Sequence, residues 1–342
     1  MRRKILMNLL ISLGLILSAA VGFEAAAQEI KTETFTGMCD ASAAVALGEN
    51  EFVVANDEDN DLRVFNLNTP NEPQILKLSE IYKGVIFDGE DLEIDLEGAA
   101  RIGDRIFWIS SHSTSKKGNF RAARHRLFAV QISRAASGKY NAVAAGQIYT
   151  NLIAEIEQDA RFNDFKIKEA KAIKPKDTGG LSIEGLAAAP DGSLLIAFRN
   201  PLRGGQIKDG FLIGGKALIV KLLNPTEVIK GAAARFDAPV ELDLGGYGIR
   251  SLEYNAAKEK FFIVAGPYHA NEQTPREVNR IYTWSGKPKD TPKLEKKFNL
   301  TEFNIEAAFF FPSSKNNAWL FSDDGNTCRK DNESFRAILQ KF

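Results

Sequence analysis

Six oxygen-bearing side chains recur in one kind of position along this chain: Asp40, Glu97, Glu184, Asn200, Glu306 and Asp323. Asp40, Glu97, Glu184 and Glu306 each stand at the head of a short motif, while Asn200 and Asp323 end the apolar runs that follow. Asn56, Asp57 and Asp324 hold similar strand-end positions. Carboxylates converging on a confined axis repel and desolvate one another unless cations compensate. Two compensations are open. One is a divalent metal, Ca²⁺ or Mg²⁺, because the donors are oxygens and the set contains no thiolate. The other is internal pairing with Arg101, Arg199 or Arg250, which would make the charges structural. A metal would polarise a substrate oxygen and acidify bound water. His112 and His269 each follow an apolar run and are the candidate general bases, with Arg199 and Arg250 as candidate anion clamps.

The elements that must position these groups repeat five times. The copies begin at Cys39-Asp40-Ala41-Ser42-Ala43-Ala44, Leu96-Glu97-Gly98-Ala99-Ala100, Ile183-Glu184-Gly185-Leu186-Ala187, Ile249-Arg250-Ser251-Leu252-Glu253 and Ile305-Glu306-Ala307-Ala308-Phe309. A turn and a second apolar run follow each one, such as Ile106 to Ile109 and Leu194 to Phe198. Such spacing predicts an all-β propeller with five blades. The small residues suit innermost strands that crowd a narrow axis. Glu97 and His112, like Glu184 and Arg199, lie equally far from a Gly/Asp turn, at Gly103-Asp104 and Asp191-Gly192, and would face each other across hairpins. Outer strands are expected at Leu62–Leu67, Gln74–Leu78, Arg126–Ile132, Gln147–Leu152, Ala217–Leu222, Val240–Leu244, Arg280–Trp284, Leu294–Asn299 and Ser334–Gln340. The last unit then lacks a strand, which Glu29–Phe35 would supply to close the ring.

Residues 152–182 read as a helix-containing insertion, with Leu152, Ile153, Ile156 and Ala160 at helical spacing, or alternatively as part of a degenerate sixth blade. Lys166, Lys168, Lys171, Lys174 and Lys176 follow the helical stretch. With the segments Ser113–His125 and Pro201–Lys216 they would form a basic fringe over the acidic centre, which suits an anionic small molecule. Asp57-Glu58-Asp59-Asn60-Asp61 lacks the glycine and final acid of an EF-hand and reads as a solvated loop.

Residues 1–27 have the basic start, apolar centre and alanine-rich end of a signal peptide, which points to a periplasmic or secreted protein. The remaining 28–342 form one expected propeller domain with a nearly neutral charge, which argues against nucleic acid as partner. No later stretch is apolar enough to span a membrane, and a monomer is expected. Cys39 and Cys328 are the two cysteines and fall in repeats that a closed ring makes neighbours, so a disulfide between them is expected. A Gly-x-Ser-x-Gly elbow, a His-Glu-x-x-His helix and a phosphate-binding glycine loop are all missing from the sequence.

The segments Leu96-Glu97-Gly98-Ala99 and Ile183-Glu184-Gly185-Leu186-Ala187-Ala188-Ala189-Pro190-Asp191-Gly192-Ser193-Leu194, with Cys39-Asp40-Ala41-Ser42, resemble an uncharacterised bacterial family of secreted propellers, known as a domain of unknown function. The Glu-Gly-Leu-Ala…Asp-Gly segment is also similar to phytase-like esterases and, more loosely, to gluconolactonase-type propellers. That resemblance implies a divalent metal in the central channel and hydrolysis of a phosphoester or lactone. Arg199-Asn200 depart from the phytase-like pattern, which tends to an acid at that strand end. Two functions stay open: a metal-dependent hydrolase, or a non-catalytic propeller that binds a glycan, peptide or protein partner.

Overall fold

Small residues in the first strand of each repeat allow the strands to meet at an axis. The computed structural model describes residues 31–83, 93–208, 211–269, 278–296, 298, 300–314, 316–324 and 333–341. The chain opens with β1 (Thr32–Thr36) and then builds a first blade from β2 (Ala41–Ala46), β3 (Glu51–Asn56), β4 (Asp61–Asn66) and β5 (Thr69–Lys77). A short helix α1 (Leu78–Ile81) follows. The second blade is β6 (Leu96–Ile102), β7 (Arg105–Ser110), β8 (Leu127–Arg134) and β9 (Tyr140–Ala144). Helices α2 (Leu152–Gln158) and α3 (Ile167–Ala170) lie between the second and third blades. The third blade has β10 (Ser182–Ala188) and β11 (Leu194–Asn200), a side hairpin of β12 (Gln206–Lys208) and β13 (Phe211–Ile213), then β14 (Ala217–Leu222). Helix α4 (Pro225–Val228) leads to its outer strand, β15 (Val240–Leu242). The fourth blade is β16 (Gly248–Asn255), β17 (Lys260–Gly266), β18 (Arg280–Trp284) and β19 (Lys293–Leu294). The fifth is β20 (Ile305–Phe309), β21 (Asn317–Ser322) and β22 (Ser334–Lys341), completed by β1.

The protein is therefore a five-bladed β-propeller, and its ring closes as the sequence predicts. β1 pairs antiparallel with β22 from Thr32↔Ile338 to Thr36↔Ser334. Aromatic packing reinforces that seam: Phe35 stacks on Phe335 with ring centroids 5.3 Å apart, and Phe52 meets Phe309 at 5.3 Å. The innermost strands contact one another in ring order β2, β6, β10, β16, β20 and back to β2. Glycine is needed where they crowd. A Cβ on Gly98 would fall 2.9 Å from both Ile109 Cγ2 and Leu186 Cβ, and one on Gly185 would fall 2.9 Å from Ala197 Cβ.

Each innermost strand also carries a β-bulge near its start. The register slips around Ser42 in β2, Glu97 in β6, Glu184 in β10, Arg250 in β16 and Glu306 in β20. A bulged residue leaves the ladder and its side chain is re-aimed, here towards the axis. This corrects the expected repeat alignment in the first blade, where Ser42 rather than Asp40 is the counterpart of Glu97. It also corrects the hairpin pairing. Glu97 lies in a bulge between Leu96↔Ser110 and Gly98↔Ile109, and so does not face His112.

Three outer elements differ from expectation, the first being the outer strand of the fourth blade, which is Lys293–Leu294 where Leu294–Asn299 is expected. The fourth strand of the second blade is β9, not Gln147–Leu152. A turn at Gly138 (φ +85°) returns the chain early, and Tyr149 keeps only one bridge to Leu127. The helical spacing expected from Leu152 to Ala160 gives a helix that stops at Gln158 and a 3₁₀ segment at Ala160–Phe165. Leu152, Ile156, Phe162 and Phe165 from this insertion are buried against Phe198 and Leu222 of the third blade. No helix among the described residues is long and apolar enough to cross a membrane.

Candidate functional site

A cavity of about 350 Å³ opens where the innermost strands begin. Nine carboxylates line it: Asp40, Asp57, Glu58, Glu93, Asp95, Glu97, Glu184, Glu306 and Asp323. The lining cations are Lys116, Arg124, Lys176 and Arg199, and Arg250 pairs with two of the carboxylates, so nine acids against five cations leave an excess of four. The basic fringe is real but incomplete. Lys116 and Arg124 come from the segment Ser113–His125, and Pro175 and Lys176 from the end of the insertion. Thr114 Oγ1, donating to the Ile173 carbonyl at 3.3 Å, ties these two overhanging segments together.

Charge is balanced on one side of the cavity. Arg199 Nη1 holds Glu184 Oε1 at 2.6 Å, Arg250 Nε lies 3.2 Å from Glu184 Oε2, and Arg250 Nη2 pairs with Glu306. The Arg199, Arg250 and Glu184 side chains are only 5–7% exposed. Burial alone would raise the Glu184 carboxyl, but Arg199 and Arg250 outweigh it and hold the group below its ordinary range. Ser182 Oγ donates to Glu184 Oε1 at 3.1 Å as well. Internal pairing therefore accounts for Glu184 and Glu306, and both proposed anion clamps are already engaged. Arg199 Nε also donates to the Pro267 carbonyl at 3.0 Å.

The other side is unbalanced. One oxygen from each of Asp57, Asp95 and Glu97 can be chosen so that all lie within 4.8 Å of one another. Burial pushes Glu97 well above its usual range, and Glu184, Asp95 and Asp57 add to the shift. Asp57 is raised by burial and then by Asp95, Asp323 and Asp40. Asp40 is pushed up to about 7, first by burial and then by Asp323. Asp95 has the best partner: Arg124 Nη1 at 2.8 Å, with a further hydrogen bond from Ser111 Oγ. Arg124 also reaches Glu93 at 2.8 Å, so its single charge is shared between two acids. Asp57 Oδ1 is buried and has no hydrogen-bond partner among the described residues. All-oxygen donors of this charge fit a hard divalent cation, and the orphaned Asp57 oxygen fits a ligand position.

Of the residues singled out from sequence, Asp40, Glu97, Glu184, Arg199, Glu306 and Asp323 line the cavity and Arg250 lies beneath it. Three do not line it. Asn200 turns its amide away, donating to the carbonyls of Pro175 at 2.9 Å and Asp177 at 2.8 Å, and so anchors the insertion. His112 is buried with Nδ1 2.8 Å from the Ser110 carbonyl, and burial with His125 nearby drives it down to about 3. His269 packs its ring against Tyr268, outside the lining. Cys39 is buried, but Cys328 and the signal-peptide residues 1–27 lie outside the described residues.

Sequence reasoning missed Asp95 and Glu93, whereas Asp57 was placed at a strand end and Lys176 in the basic fringe, and both line the cavity. Asp95 stands two residues before Glu97 but outside β6, where strand alternation does not reach. Asp95 adopts φ 54°, a turn conformation that a sequence repeat does not register.

A family model described as "Protein of unknown function (DUF3616)" matches residues 40–136 and 124–307. The chain belongs to this family. No protein of curated function matches the sequence. Among solved structures, the chain is similar to a Thermus thermophilus protein described as an oxidoreductase (glucose dehydrogenase), at 11% identity and TM-score 0.44, covering 91% of this chain and 100% of that one. It is similar to a luciferin-regenerating enzyme at 7% identity and TM-score 0.44, with 92% and 98% covered. It is also similar to the Myxococcus xanthus glutaminyl cyclase at 10% identity and TM-score 0.41, with 92% and 97% covered. Likenesses this distant carry no argument about activity.

Proposed function

We propose that this member of the family is an exported propeller whose acidic cavity holds a divalent cation, Ca²⁺ or Mg²⁺, and through it an anionic small molecule. The observation that carries the reading is the trio of Asp57, Asp95 and Glu97 with oxygens within 4.8 Å of one another, one of them buried and unpartnered. A bound cation would relieve repulsion there and offer electrophilic assistance to a ligand oxygen. Asp57, Asp95 and Glu97 would hold it, Arg124 keeps Asp95 oriented, and Lys116 and Lys176 would face the ligand's negative group from the rim. The reaction proposed is hydrolysis of a phosphoester or lactone. The second reading is cation-dependent binding without catalysis, favoured by His112 and His269 both standing outside the cavity lining.

The deciding experiment is a thermal-shift titration with Ca²⁺ and Mg²⁺, followed by phosphoester and lactone turnover assays. Stabilisation that EDTA reverses and that Asp57→Asn abolishes supports the cation site. No response to either ion refutes it. Turnover that follows the same cation dependence favours the hydrolase, and binding of the cation without turnover of either ester class favours the binding module. Export and the Cys39–Cys328 bond belong to the same proposal. Mass spectrometry of the secreted chain, digested with and without reductant, tests both through the new N-terminus and the linked peptide.

A further inference from the structure

The innermost strands have a second set of ends, and those surround a different cavity. It measures about 500 Å³ and lies where β2, β6, β10, β16 and β20 finish, opposite the acidic cavity. Its walls include Val45, Leu47, Pro190, Tyr254, Phe310 and Phe311. A carboxyl group and a guanidinium line it, Glu253 and Arg101, and no ion pair joins them. Arg101 Nη2 donates to the Ala46 carbonyl at 3.0 Å. The Glu253 carboxyl accepts a hydrogen bond from the Tyr254 backbone N–H.

A carboxyl group and a guanidinium face one partly apolar space from different blades, Glu253 on β16 and Arg101 on β6. One cavity that holds both groups apart suits a molecule that carries both charges itself. We propose that this cavity binds a small zwitterion of the amino-acid class with an apolar or aromatic body, its ammonium on Glu253 and its carboxylate on Arg101. Tyr254 and Phe310 stand in the lining, where an apolar or aromatic body could rest against them, and aromatic faces also favour an ammonium. Burial raises Glu253 to about 8 in the free protein, and an arriving ammonium supplies the counter-charge it lacks. The cation reading of the opposite cavity is not required.

The test is isothermal titration of the full mature chain with L-phenylalanine at pH 7. Saturable one-site binding is expected, at least tenfold weaker in Glu253→Gln and unchanged in Asp57→Asn. Phenethylamine, which lacks the carboxylate, should bind wild type and Arg101→Gln alike, whereas L-phenylalanine should bind Arg101→Gln more weakly than wild type. On the unmodified protein, 3-phenylpropionate, which lacks the ammonium, should bind at least tenfold more weakly than L-phenylalanine. That comparison keeps the test decisive even if Glu253→Gln misfolds. Absence of saturable L-phenylalanine binding up to about 10 mM overturns the proposal. So does binding that survives Glu253→Gln in a folded variant, or binding lost in Asp57→Asn, which would place the ligand in the acidic cavity.

Discussion

Asp40 and Asp95 occupy the same position in adjoining blades: each precedes by two residues the bulged residue of an innermost strand, Ser42 in one and Glu97 in the other. The same position holds Ser182, Gly248 and Asn304 in the remaining blades. Fivefold architecture thus carries a lopsided charge pattern, with acids gathered over the first two blades and arginines over the third and fourth.

Cation binding should therefore depend on the first two blades. At a Ca²⁺ concentration about 100 times its dissociation constant, linkage predicts roughly 2.7 kcal/mol of added stability, or several degrees in Tm. Glu97→Gln should remove that response. In EDTA the same variant should be at least as stable as wild type, because a mutually repelling carboxylate is gone. Differential scanning calorimetry reads both effects.

Asp40 gives a pH dependence of known sign. Its folded value of about 7 lies above its ordinary 3.8, so the folded state holds the proton more tightly. Stability of wild type relative to Asp40→Asn in EDTA should be greatest below about pH 4 and decline as pH rises towards 7. Saturating Ca²⁺ should flatten the decline. Urea unfolding at a series of pH values measures it.

His112 should behave in the opposite way. Its folded value near 3 is below the ordinary 6.5, so its contribution is intact above pH 6.5 and is lost as pH falls towards 3. His112→Asn, a residue suited to the observed φ of 56°, should remove that acid sensitivity and leave the Ca²⁺ response unchanged. Acid-unfolding curves with and without the substitution check this.

Glu184→Gln should be damaging for a reason unrelated to metal. It would leave Arg199 and Arg250 buried with their main counter-ion removed, at a cost of about 3–5 kcal/mol. Equilibrium urea unfolding in EDTA should show that loss in full, whereas a metal ligand would show its effect only with the cation present.

What could be read in advance follows from these geometries. Glu97, Glu184 and Glu306 were visible because each directly precedes the small residues of an innermost strand, a local pattern imposed by crowding at the axis. Asp40 was found at the cavity but aligned with the wrong partner, since the first blade has Ser42 at its bulge and an acid two residues earlier. Asp95 and Glu93 went unnoticed because strand-like spacing fades before the bulge. Whether a carboxylate is paired was not legible at all. Glu184 and Glu97 look alike in sequence, yet one meets two guanidinium groups and the other meets more carboxylates. That contrast depends on side chains from other blades. His112 looked like a base because it follows a strand, but the chain turns it into the protein at φ 56°.

The pairing of β1 with β22, with Leu339 N donating to the Lys31 carbonyl at 3.3 Å, also bears on how the molecule is made. A ribosome delivers β1 before any other strand of the propeller and its partner β22 after all the rest. Until Ser334–Lys341 has been made, β1 has no strand to pair with and the ring stays open.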